Sequence, residues 1–121
     1  MTLPLLTAER VGDDHIDARL RTEPILRLGT VADDGRPHTV PVWFLWTDPM
    51  ITIFCDPRTH KVNNLRRSSA VSVSLDTARY GTDVVLGEGT AMLRELADVS
   101  RELEGFAAKY ARALGSQTIE Q

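Results

Sequence analysis

Arg58, His60 and Lys61 stand almost side by side in the segment PRTHKVNNLRR. Val62 and Leu65 give that segment one apolar side, and Asp56 or Thr59 is placed to cap a short helix running to about Arg67. Cations at a helix start oppose the partial positive charge of the backbone dipole, where Asp or Glu would be the stabilising choice. A bound phosphate resolves the conflict: free N–H groups, the dipole and the basic side chains then converge on one anion. The plainer reading is a solvated basic patch that Arg66 and Arg67 continue on the exposed side.

A second cluster lies in HTVPVWFLW, where Trp43, Phe44 and Trp46 crowd together in a chain that is only 6% aromatic. Strand aromatics most often fill a core or an interface. The alternative is a wall for a planar ring. Pro41 sharpens it, because a residue without an N–H suits an edge or a bulge, where neighbouring backbone groups can turn to a ligand. A ligand with a flat heterocycle at one end and a phosphate at the other matches both clusters.

The remaining constellations are weaker. His15, His38, His60 and Cys55 lack the paired spacing of a zinc site, so no metal is expected. Cys55 at a strand end reads as a small buried hydrophobe. Ser68 is not set in a nucleophile elbow. Glu88, between Gly87 and Gly89, reads as a solvent-facing or barrel-lip residue rather than an acid or base. There is no G-x-G-x-x-G and no P-loop. No side chain is therefore expected to act as a catalytic group.

The elements that must carry these residues are mostly strands. A helix over residues 15–22, capped by Asp14 and burying Ile16 and Leu20, ends before Pro24. Residues 25–32 form a strand, and DDGR turns the chain with Gly35 at positive φ. One strand is expected over residues 38–46. Val40, Val42, Phe44 and Trp46 lie on one face of it, and Thr39, Pro41, Trp43 and Leu45 on the other. TDPM turns into a strand over 50–55, AVSVSL is a fourth strand, and residues 84–94 are a fifth. Gly87 and Gly89 in that strand suggest a bulge, a barrel corner or a close approach. A last helix over residues 96–114 repeats Val99, Leu103, Phe106, Tyr110 and Leu114, with Gly115 as its C-cap. Short turns and the lack of long crossover helices favour a mainly β, antiparallel small barrel over a parallel fold.

The bulk properties agree. At 121 residues the chain has the length of a single domain with a sizeable core. It is 42% hydrophobic and 26% charged, with no apolar run near the roughly 20 residues that span a bilayer. A net charge of −3 argues against a broad nucleic-acid surface. The N-terminus lacks a secretory pattern and Cys55 has no intrachain partner, so the cytoplasm is the expected compartment.

LGTVADDGRPHTVPVWF, THKVNNLRR followed by AVSVSL, and GEGTA occur in an order and spacing that resemble the split β-barrel family of pyridoxamine-phosphate-oxidase-like flavin and deazaflavin proteins. The match runs over residues 26–93 and is more similar to the short members that use coenzyme F420 than to the true oxidases. The resemblance implies a split barrel of antiparallel strands with short helices and a C-terminal helix. It implies that Thr39, Val40, Pro41, Val42 and Trp43 line the ring, with Cys55 beside the ribityl chain. Lys61, in its K-x-x-N-L context, would be the phosphate lysine, assisted by Arg58 and His60. Histidine there is a weaker, pH-dependent partner than the arginine that the oxidases commonly carry. Thr82, on a loop near Gly81, would reach the cofactor across a homodimer interface. Relatives usually continue past the long helix into a final strand; with the given sequence stopping at Gln121, the expectation is either a shortened chain or a barrel closed with fewer strands.

The function so implied is hydride transfer from reduced F420 to a small conjugated or aromatic substrate, the cofactor supplying the chemistry. The alternatives are an FMN-dependent enzyme of the same fold and a non-catalytic flavin carrier. Arg36, Arg66 and Arg67 are the candidates for the anionic tail of F420.

Overall fold

The computed structural model describes residues 2–6 and 13–114. In chain order these form β1 (Thr2–Leu6), α1 (Asp13–Thr22), β2 (Leu26–Val31), β3 (Pro37–Val42), β4 (Leu45–Thr47), β5 (Met50–Thr52), α2 (His60–Arg67), β6 (Ala70–Leu75), β7 (Val85–Thr90) and α3 (Ser100–Ala113). A 3₁₀ turn, Ala78–Gly81, precedes β7, and another, Leu96–Val99, leads into α3.

All strand pairings are antiparallel, in the order β3-β2-β6-β7-β1-β5-β4. The architecture is mainly β with minor α, the split barrel that the sequence implies. Alternation of side chains explains the inner face. Leu26, Leu28 and Thr30 of β2 point inward, as do Val71, Val73 and Leu75 of β6, while Arg27 and Ser72 face out. Phe44, Ile51, Ile53 and Leu20 of α1 complete the core and are essentially inaccessible.

Several expectations are refined. β1 had no counterpart in the sequence reading, yet it joins β7 to β5. Its five residues include Pro4, which weakens any local strand signal. The single strand expected over 38–46 is two strands, interrupted at Trp43 and Phe44. β3 and β4 consequently stand at opposite ends of the sheet order, so this interruption is where the chain bends from one end of the sheet to the other.

Asp14 lies inside α1 and does not cap it. The strand expected over 84–94 is regular from Val85 to Thr90, its register with β6 unbroken, so Gly87 and Gly89 mark no bulge there. They sit opposite the inward Val73 and Val71, and Gly89 is also paired with Leu5 of β1. Gly89 thus has a strand paired on each side. The Asp-Asp-Gly-Arg turn forms as read, with Gly35 at φ 85°. Gly115 lies outside the described residues.

Candidate cofactor cleft

The two sequence clusters meet in one cleft of roughly 1190 Å³. One wall is the end of β3 and the interruption after it: Pro41, Val42 and Trp43. The floor and opposite end come from the segment after β5 and from α2, with Phe54, Cys55, Arg58, Lys61 and Arg66 among them. Residues that follow β7, including Arg94 and Leu96, and Phe106 of α3 close the remaining side.

The aromatic wall is ordered by ring contacts. Trp43 stacks on Tyr110, centroids 4.2 Å apart and planes 4° from parallel. Phe106 bridges inward, 4.7 Å from Tyr110 and 5.0 Å from Phe54, the latter edge-on. Such offset and edge contacts use the ring quadrupole as well as burial. Trp43 keeps 37% of its surface exposed, so its indole is both anchored and accessible.

The cationic end is built differently. Thr59 occupies the N-cap of α2 but makes no side-chain cap; its hydroxyl donates instead to the Asp56 carbonyl at 2.9 Å. The first turn of α2 holds no acidic residue. The opening N–H groups therefore keep their capacity for an external anion. Arg58 is paired with Asp56, Nη2 to Oδ2 at 2.8 Å and Nε to Oδ1 at 3.1 Å. That guanidinium, with Lys61 adding its charge, holds the Asp56 carboxyl down at about 2. Lys61 makes no ion pair among the described residues, so its charge is available to a ligand.

Of the residues expected at the site, Pro41, Val42, Trp43, Cys55, Arg58 and Lys61 line the cleft. Thr39, Val40, His60 and Thr82 do not. Val40 packs partly buried against the core, because alternation along β3 turns it inward. Thr39 and His60 are exposed. Thr82 follows the 3₁₀ turn, its hydroxyl donating to the Arg79 carbonyl at 2.7 Å.

Sequence reading missed Phe54, Phe106 and Arg94 as cleft residues, and Tyr110 as the support of Trp43. Phe106 and Tyr110 were visible as members of the apolar stripe of α3, but a stripe does not say what it faces. Of the histidines, His38 Nδ1 lies 3.2 Å from Asn64 Nδ2, and His15 Nε2 pairs with Asp83 at 2.9 Å. Among the described residues no group of three or more His, Cys, Asp or Glu is arranged to hold a metal.

Solved structures share this architecture, among them the following two. The conserved hypothetical protein Rv2991 from Mycobacterium tuberculosis superposes with a TM-score of 0.69 at 26% identity, over 93% of this chain and 72% of that one. A putative 5-nitroimidazole antibiotic resistance protein from Bacteroides thetaiotaomicron gives a TM-score of 0.70 at 13% identity, over 99% of this chain and 74% of that one, a likeness of fold alone. No curated protein matches the sequence. The sequence model of the family described as Pyridoxamine 5'-phosphate oxidase matches residues 13–120. That span carries the whole cleft and all the described strands except β1, and on it the chain belongs to the pyridoxamine 5'-phosphate oxidase family.

Proposed function

We propose that this protein is a cytoplasmic oxidoreductase that holds coenzyme F420 in the cleft and reduces a small conjugated or aromatic substrate. The family is one of flavin-binding oxidoreductases, and FMN is its general cofactor. The observation that carries the reading is a single cleft that joins a flat aromatic wall at Trp43 to the uncapped, cationic start of α2 at Lys61. Its volume of roughly 1190 Å³ has room for a cofactor that carries both a ring and a phosphate.

The residues present fit such a group. Lys61 and the first N–H groups of α2 would hold a phosphate, with Arg58 joining once it exchanges Asp56 for the ligand. Trp43, Phe54 and Phe106 would cover the ring and keep water from it. Hydride transfer is the chemistry that a bound reduced deazaflavin supplies. The chain's own task is orientation and exclusion of water, which agrees with the absence of a nucleophile–base pair in the sequence.

F420 is preferred over FMN on two residues. Arg66 and Arg94 line the cleft in addition to Lys61 and can meet an anionic tail that FMN lacks. Arg36 sits instead on the β2–β3 turn, 3.6 Å from Asp34, and Arg67 donates to Asn64 Oδ1 at 3.2 Å; neither lines the cleft. The active form is a homodimer: Tyr80 is wholly exposed on the loop before β7, and Leu86 is 72% exposed on β7, a surface suited to a second copy.

Fluorescence titration with F420 and with FMN tests the reading. F420 should bind more tightly, and Lys61→Ala should lose most of that affinity. Equal binding by the wild type and the variant would remove the phosphate assignment. Steady turnover of reduced F420 with any acceptor separates an enzyme from a carrier, and sedimentation velocity reads the dimer directly.

A further inference from the structure

The interruption between β3 and β4 is held by α3. Phe44 N–H donates to Tyr110 Oη at 2.8 Å, and Phe44 C=O accepts from Lys109 Nζ at 2.9 Å. The same ammonium lies 3.6 Å from the centroid of the Phe44 ring. Tyr110 Oη in turn donates to the Pro24 carbonyl at 2.7 Å. Both backbone groups of Phe44 are thereby taken out of the strand ladder, which is why the strand stops there.

Lys109 is an expensive way to do this. It is only 8% exposed, and an apolar residue of like volume would avoid the desolvation of a buried ammonium. What the lysine adds is a directed bond to one carbonyl and a cation over one ring. The residue that this fixes is Trp43, adjacent to Phe44 and stacked on Tyr110 at the cleft wall.

We propose that Lys109 is a positioning residue for the ring end of the cleft: by locking the Phe44 carbonyl it sets the indole plane of Trp43. The proposal rests on the reading of the cleft as a ring-binding site. Burial lowers the Lys109 amine from 10.5 to about 8, against the opposing pull of the Glu23 carboxylate. Glu23, at the end of α1, is itself held by Arg19 at 2.8 Å. Tyr110 stays neutral to about 12, and Trp43, Phe44, Leu45 and Trp46 bring no titratable group. Loss of the ammonium above about pH 8 removes the cation over Phe44 and weakens the carbonyl bond.

The test uses the full-length protein, with riboflavin as the probe for the ring alone and FMN as the probe for ring plus phosphate. Lys109→Met should stay folded, abolish the near-UV circular dichroism band that Trp43→Phe also removes, and weaken riboflavin and FMN by the same factor of about ten. Lys61→Ala should weaken FMN and leave riboflavin unchanged. Wild-type affinity for riboflavin should fall through about pH 8, a profile that needs no substitution and should flatten in Lys109→Met. A folded Lys109→Met with the Trp43 band and riboflavin affinity intact overturns the proposal, as does a flat wild-type profile. If the wild type binds none of riboflavin, FMN or F420, the assignment of the cleft fails. The Trp43 band then decides separately: its loss in Lys109→Met upholds the role of the lysine, and its persistence overturns it.

Discussion

The Trp43–Phe44 interruption and the head of α2 border the same cleft but are built by opposite means. At the interruption both backbone groups of Phe44 have side-chain partners, and Trp43, Tyr110, Phe106 and Phe54 form a continuous run of ring contacts. At the head of α2 the cap side chain is turned away, Arg58 is 88% exposed, and its charge is already answered by Asp56. The first region is pre-organised by burial. The second is a set of charges in water, held in reserve by a neighbouring carboxylate. Recognition of a flat ring should therefore depend on the integrity of the fold, and recognition of a phosphate on ionic conditions.

Substitutions can break that contrast, the largest effect first. Phe44→Ala should destabilise the protein by about 3–5 kcal/mol, read as a lower urea midpoint, because a fully buried ring leaves a cavity at the junction of β3, β4 and α3. Tyr110→Phe should cost about 1–3 kcal/mol, since it strands the Phe44 N–H without an acceptor. Lys61→Ala, in contrast, should leave the urea midpoint within about 0.5 kcal/mol while lowering FMN or F420 affinity roughly 10–100-fold. Raising salt should narrow that difference between wild type and variant. Equal loss of stability in Lys61→Ala and Tyr110→Phe would erase the distinction between the two regions.

The two regions should also differ in pH response. Lys109 releases its proton at about 8 when folded and near 10.5 when unfolded, so the unfolded chain binds more protons between those values. Stability from this group should therefore rise with pH across that window. Tyr110 stays protonated to about 12 rather than 10, so above about pH 10 it contributes the opposite slope, stability falling as pH rises. Urea midpoints measured across the alkaline range in wild type and Lys109→Met should isolate the first slope. At the other region Asp56 titrates at about 2 because Arg58 binds it. The smallest expected effect is there: Asp56→Asn should free Arg58 and raise FMN or F420 affinity about two- to fivefold. A fall in affinity would mean that Asp56 orients Arg58 instead of competing for it.

Much of this arrangement is written in local pattern. The alternation of Val71, Val73 and Leu75 gave β6 to the residue, and the Asp-Asp-Gly-Arg turn fixed the β2–β3 hairpin. The basic head of α2 was visible as a conflict between charge and helix dipole, and Lys61 and Arg58 do line the cleft. β1 was not legible, since a five-residue segment with a proline becomes a strand only when β7 and β5 flank it. His60 drew attention by its neighbours in sequence, yet one step around a helix turns it away from the cleft.

Sequence by itself determined which residues alternate, which turn, and which carry charge without a local partner, because those properties depend on a few neighbours along the chain. Only the tertiary structure decided where the long strand breaks, and that Lys109 is buried. Both follow from α3 reaching residues more than sixty positions away, where it supplies hydrogen bonds that no local pattern encodes.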